Sequence, residues 1–196
     1  MSAKYPFAKS LVFDEPTIQR RIVELSGGIH RHYSGLVTET SPLVLVVVLN
    51  GAFMFAADLA RALADRKLPV RMDFICVSSY QGGTHTTGEV RMLLDLRRGI
   101  QGQHVLMIED IVDSAHTLDF LLKLFMTRSP ASLKMASLLD KKAARRIPLR
   151  VDFVCFDCPP EFVIGYGLDF AERFRELRDI VVLKPEYYMK APAAKL

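Results

Sequence analysis

The spacing of apolar positions changes several times along the chain, and each change marks an element. Leu43–Leu49, LVLVVVL, is apolar at all seven positions. A strand with one face in water would alternate, so the unbroken run predicts a strand of a parallel sheet covered on both faces. Asn50 and Gly51 end it, and from Phe53 to Ala64 apolar residues recur at helical spacing among Ala and Leu, which favour helix. Val70 to Ser78 is β-branched and aromatic enough for the next strand. Ser79 to Gly88, SYQGGTHTTG, is polar and glycine-rich and predicts a mobile loop, followed by the short run EVRMLL. Val105–Ile108, Leu133–Leu139 and Val151–Phe156 give further strands, and Thr117–Met126, TLDFLLKLFM, returns to helical spacing.

Strands alternating with helices predict an α/β fold with right-handed crossovers and a central parallel sheet flanked by helices. Ligands of such sheets bind beyond the carboxyl ends of the strands, which places the turns after Leu49, Ile108, Leu139 and Phe156 on one rim. A chain of 196 residues, 50% hydrophobic, is of a size for one core. One domain, 1–196, is expected, with 191–196 as a flexible tail. No repeat period or biased composition points to a solenoid or a disordered chain.

The seven-residue aliphatic run is far short of the roughly 18 residues that crossing a bilayer requires, so no membrane partner is expected. The opening MSAKYPFAKS lacks the apolar segment of a secretory signal, and an intracellular protein with reduced cysteines is expected. Cys155 and Cys158 form a C-x-x-C, but Cys76 is isolated and no paired histidines follow, which favours a structural role over zinc or redox chemistry. The net charge of +4 is spread among 22 acidic residues rather than gathered in a stripe. That argues against nucleic acid and suits a small polyanionic substrate.

The most informative stretch is Val105–Leu118, VLMIEDIVDSAHTL. An apolar strand is followed by two acids, Glu109 and Asp110, then by the polar turn Asp113, Ser114, Ala115, His116, Thr117, and then by a helix. Free N–H groups and the dipole of the helix's first turn attract an anion, and the hydroxyls of Ser114 and Thr117 add donors. Adjacent carboxylates suit the vicinal hydroxyls of a ribose, so both halves together fit a ribose 5-phosphate. Taken singly, the bland reading is the better one for each feature, with Asp113 or Ser114 merely capping the helix and Glu109 and Asp110 solvated turn residues, because caps are so common.

In that order of residue types the segment resembles the PRPP-binding signature of the type I phosphoribosyltransferases, with Ala115 where the family usually has Gly. If the position needs a positive φ, Ala adds strain there. The segments LLDKK at Lys141, DFVCFDCPPEFVIGYGLDF from Asp152 to Phe170, FRELRDIVVL from Phe174 to Leu183, LNGAFMFAADL and SSY resemble the hypoxanthine-guanine enzymes of that family. The resemblance implies the family fold, with a small hood formed by the terminal segments. It also implies transfer of the phosphoribosyl group of PRPP to hypoxanthine or guanine, giving IMP or GMP and pyrophosphate, and leaves xanthine open.

The resemblance further implies a set of roles. Glu109 and Asp110 take the ribose hydroxyls and, with Asp169, Mg²⁺. Asp113 faces N7 of the purine as acid/base, and the loop from Asp113 through Ser114, Ala115, His116 and Thr117 holds the 5-phosphate. His116 stands at the variable position and is read as an exposed loop side chain. Lys141 donates to the 6-oxo group, Phe162 stacks on the base, and Val163 and Asp169 add backbone contacts to the purine. Asn50, Gly51 and Arg175 contact pyrophosphate, with Asn50 where Lys is common, and Ser79 and Tyr80 sit on a closing loop. The family habit implies a homodimer or homotetramer. Ala194-Lys195-Leu196 resembles the address read by the peroxisomal import receptor, which suggests a glycosome-like organelle, with the cytosol as the alternative. A PRPP-sensing regulator that binds nucleic acid is the competing reading, against which stands the full set of purine-pocket residues.

Overall fold

The computed structural model describes residues 4–79 and 90–189. Tyr80 and the rest of the expected closing loop, together with residues 191–196, lie outside the described residues, as does the side chain of Ser79.

In chain order the elements are β1 (Ala8–Phe13), α1 (Glu15–Tyr33), β2 (Leu43–Leu49), α2 (Phe53–Asp65), β3 (Val70–Ser79), β4 (Val90–Leu94), β5 (His104–Val112) and α3 (His116–Met126). They continue with β6 (Ser132–Asp140), a 3₁₀ turn (Lys142–Ala144), β7 (Phe153–Asp157), β8 (Val163–Ile164), β9 (Ile180–Leu183) and α4 (Pro185–Tyr188). A six-stranded sheet runs β4-β3-β2-β5-β6-β7. Its strand pairs are parallel except β3 with β4.

The apolar run of β2 is where the prediction required it, near the centre of the sheet with both faces covered. Leu43, Leu45 and Val47 join one apolar cluster with residues of α1 and α2, while Val44, Val46 and Val48 join a second with α3. β5 divides in the same way, Leu106 and Ile108 to the first cluster and Val105 and Met107 to the second, as the two-residue period of a strand dictates.

Helix α1 was not anticipated from the pattern, although its cues are present. Asp14 caps it by accepting from the Thr17 N–H at 3.0 Å, a proline opens it and His30, Arg31 and His32 sit in its last turn. Ile18, Ile22, Leu25, Ile29 and Tyr33 form its buried face. Arg21 ties it to β7 by donating to the carbonyls of Cys155 and Val154 at 2.7 and 2.9 Å.

The expected hood is an antiparallel sheet, β1-β9-β8. The Asp179 carboxylate fastens it by accepting from Tyr5 Oη at 3.0 Å, the Glu15 N–H at 2.8 Å and Lys4.

The central sheet is mostly parallel, as expected, with only the edge strand β4 antiparallel, because only residues 80–89 separate β3 from β4 and a parallel return needs a crossover of about a dozen residues or more. Two expectations need correction. β5 does not stop before the acids but continues through Glu109 and Asp110 to Val112, held on both sides of the pair by Ile108 and Ile111 registering with Ala136 and Leu139 of β6. α3 begins at His116 rather than Thr117.

Candidate active site

The parallel strands deliver their carboxyl ends to one rim, and two cavities open there. One, of about 230 Å³, is lined by Glu109, Asp113 and the turn from Ser114 to Leu118. The other, of about 180 Å³, is lined by Asp110, Asp113, Lys141, Phe162, Val163 and Asp169. Because successive strand side chains point to opposite faces, Glu109 and Asp110 are shared out between the cavities, and Asp113 borders both.

The turn between β5 and α3 leaves the start of the helix without a side-chain cap. Ala115 is the helix N-cap in a left-handed conformation, φ 72° and ψ 6°, and no side chain caps the helix. Asp113 and Ser114 therefore do not act as caps, and the N–H groups of the first turn remain free of side-chain acceptors, as a phosphate site needs. The left-handed geometry disfavours Ala by about 1–2 kcal/mol. Ala115 is only 4% exposed and packs in the same cluster as Leu118 and Val48, which offsets part of that strain by about 0.8 kcal/mol for its methyl group. His116 is exposed, as expected, and Thr117 is partly so.

The acid pair is buried, Glu109 at 9% and Asp110 at 8% exposure. Glu109 Oε2 is sealed from solvent without a hydrogen-bond partner. Burial, reinforced by the neighbouring Asp110 charge, pushes the Glu109 carboxyl well above its ordinary range. Asp110 Oδ1 accepts from the Ile111 N–H at 2.8 Å. Its other oxygen lies so close to Gly51 that a Cβ on that residue would overlap it, and the carbonyl of Gly51 in turn leaves no room for a Cβ on Gly167, φ 99°. Glycine is required at both places by this close approach. Asn50, exposed beside a cis Leu49–Asn50 peptide, contributes no charge.

In the second cavity Lys141 follows β6. Its N–H donates to the Val112 carbonyl at 2.9 Å, and its Nζ donates to the Glu161 carbonyl at 3.1 Å. Phe162 is 38% exposed rather than core, backed by Tyr188 in a stacked arrangement (5.3 Å between centroids) and by Phe170 edge-on (5.8 Å). A partly exposed ring held by two aromatic neighbours offers apolar area for stacking. Val163 opens β8 and registers with Val182. Asp169 and Arg175 are engaged with each other at 2.9 Å. Asp169 also accepts the Glu172 N–H at 2.9 Å, and Arg175 donates to the Gly167 carbonyl at 2.9 Å.

Sequence reasoning did not single out Tyr188, Gly167, Asp140 or Arg145. The G-Y-G spelling of 165–167 was the one legible cue, since paired glycines mark a tight or closely approached backbone. Among the described residues no three His, Cys, Asp or Glu side chains gather as a metal cage. Cys155 and Cys158 are free thiols whose acidity burial suppresses, to pKa values of about 12 and about 11, in keeping with the structural role read for C-x-x-C. No helix among the described residues is long and apolar enough to cross a membrane.

Comparison with known proteins identifies the family. The phosphoribosyl transferase domain family matches residues 10–171. The hypoxanthine-guanine phosphoribosyltransferase of Leishmania donovani is 46% identical over 98% of this chain and 91% of its own length. That of Crithidia fasciculata is 54% identical over 82% of this chain and 76% of its own. The structure of hypoxanthine phosphoribosyltransferase from Trypanosoma cruzi in complex with the product IMP superposes with a TM-score of 0.90 at 53% identity, covering 94% of this chain and 99% of that one. With fold and sequence in agreement over most of its length, the chain belongs to the phosphoribosyl transferase family, within its hypoxanthine-guanine branch.

Proposed function

We propose that the rim binds PRPP and a 6-oxopurine side by side and joins them, forming the bond between the purine N9 and C1 of the ribose while the C1–O bond to pyrophosphate breaks. The products are IMP from hypoxanthine or GMP from guanine, with pyrophosphate leaving on its oxygen. The observation that carries the reading is the pair of cavities meeting at Asp113, an uncapped helix N-terminus in one and Lys141 facing Phe162 in the other. A sensor of PRPP alone would have no use for the second.

Roles follow from placement. The turn from Asp113 to Thr117 holds the 5-phosphate. Glu109 and Asp110 accept from the ribose hydroxyls. Lys141 donates to the 6-oxo oxygen, Phe162 covers the ring and Val163 supplies backbone contacts. Asp113, at the border, hydrogen-bonds N7 and manages its proton. Gly51, Asn50 and Arg175 face the pyrophosphate, and Arg175 reaches it by sharing or leaving Asp169.

The donor set fits Mg²⁺. Glu109 carries a buried oxygen with no partner, and this metal is held by one or two carboxylates plus substrate phosphates rather than by an all-protein cage. One or two of Glu109, Asp110 and Asp169, together with substrate phosphates, would hold it, and when bound it would neutralise charge on the departing pyrophosphate. The spelling of residues 194–196 supports a glycosome-like location.

Lys141→Ala tests the base site. Loss of a charge-assisted hydrogen bond removes about 1.5–3 kcal/mol, so KM for hypoxanthine should rise by roughly 10- to 150-fold while KM for PRPP changes much less. Unchanged kinetics for hypoxanthine would refute the assignment.

A further inference from the structure

The segment 140–147 joins the two halves of the site, yet it has little burial to hold it. The 3₁₀ turn Lys142–Ala144 contains no buried side chain. What closes the loop is polar. Asp140, at the end of β6, and Arg145 form an ion pair whose side chains are only 7% and 14% exposed, and Arg145 also donates to the Leu149 carbonyl. From one end of this closed loop Lys141 donates its N–H to Val112, the residue before Asp113. From the other end the N–H groups of Arg146 and Ile147 both converge on the Ser114 carbonyl, at 3.1 and 3.4 Å. The Asp140 carbonyl, in addition, accepts from the Cys158 N–H at 2.9 Å.

The donor for the base and the turn for the 5-phosphate are therefore parts of one tied unit, and its knot is the Asp140–Arg145 pair. We propose that Asp140 and Arg145 are positioning residues that fix the spacing between the purine donor Lys141 and the phosphate turn at Ser114, so that they serve both substrates without touching either. This rests on the functional reading above. A buried pair of this kind need not add stability, because replacing it by apolar residues of similar size is often neutral. Placement is the property that an apolar pair would not restore, since a planar guanidinium fork can hold Asp140 and the Leu149 carbonyl at once and a methylene chain cannot.

The test uses Asp140→Leu/Arg145→Met, which fills the same space without charge, and Arg145→Lys, which keeps the charge but not the fork. Both are measured beside Lys141→Ala by thermal melting and by initial rates with each substrate varied. The expected result is kcat/KM lowered for hypoxanthine and PRPP alike, by about 10- to 10²-fold, in any of these loop variants that melts at the parental temperature. A purely structural pair would lose melting temperature in Arg145→Lys and recover its kinetics wherever melting is recovered. Parental kcat/KM for either substrate in Arg145→Lys, or in a double variant of parental stability, overturns the proposal. If Lys141→Ala itself leaves hypoxanthine kinetics unchanged, the base-site reading has failed. If Lys141→Ala responds and the loop variants do not, the positioning role alone has failed.

Discussion

Replacing Glu109 by Gln should stabilise the ligand-free protein at neutral and alkaline pH and weaken its hold on PRPP. The structure supplies the reason: Oε2 is buried without a partner, and Asp110 is the next residue. The folded state holds the Glu109 proton to higher pH than the unfolded chain, whose glutamate titrates near 4.5. Below that pH both states are protonated and the side chain is not a burden. As pH rises the unfolded chain ionises first, and stability is lost until the raised pKa of the folded state has been passed. A buried group left unsatisfied costs about 1–3 kcal/mol, and more when charged. For a chain of this length 1 kcal/mol moves Tm by about 2–4 °C, so Glu109→Gln should melt roughly 2–12 °C above the parent at about pH 8, the lower part being expected because the amide is also imperfectly paired. Calorimetry in a chelator across the pH range checks this, and the gap should open above pH 4.5 and then level off. With Mg²⁺ and PRPP present the order should narrow or reverse, as the parent gains more from ligand. A gap that does not change with pH, or a variant less stable than the parent at about pH 8, refutes the reasoning.

Asp113→Asn keeps the size of the side chain and removes its ability to take and return a proton, so single-turnover rates should fall by about 10²- to 10⁴-fold with PRPP affinity little changed; parental single-turnover rates would exclude the acid/base role. Gly51→Ala should displace the Asp110 carboxylate, because the new methyl would occupy its place; about 1–3 kcal/mol of stability is at stake, read by denaturant titration, together with a raised KM for PRPP. Removing residues 194–196 should shift a fluorescent fusion from an organelle to the cytosol and leave purified activity intact, because such an address is read by a receptor.

What was legible in the sequence was what periodicity and local chemistry encode. Seven consecutive apolar residues read directly as a strand covered on both faces, and the order of strand, acids, polar turn and helix located the turn ahead of α3 whose helix N-terminus no side chain caps. The family pattern's Gly at position 115 even indicated the backbone, since Ala115 does take a positive φ. The course of β5 was misread because two acids look like the end of a strand, whereas pairing with β6 carries the strand past them and both lie buried. α1 escaped notice because polar residues between its apolar positions dilute the pattern. The Asp140–Arg145 pair was hidden among Lys142, Arg146 and Arg150, where only three-dimensional placement shows which cation is buried. Phe162 was legible only through the family resemblance, since an aromatic in an apolar run would otherwise be placed in the core, and the fold leaves it 38% exposed.

The most direct measurement is a side-by-side assay of hypoxanthine, guanine and adenine with PRPP and Mg²⁺, following nucleotide and pyrophosphate together. With Lys141 donating to a 6-oxo oxygen, hypoxanthine and guanine should each yield nucleotide and pyrophosphate in equal amounts, and adenine, whose 6-amino group is itself a donor, should yield little of either. Preference for adenine, or PRPP bound without release of pyrophosphate in the presence of either 6-oxopurine, would contradict the account.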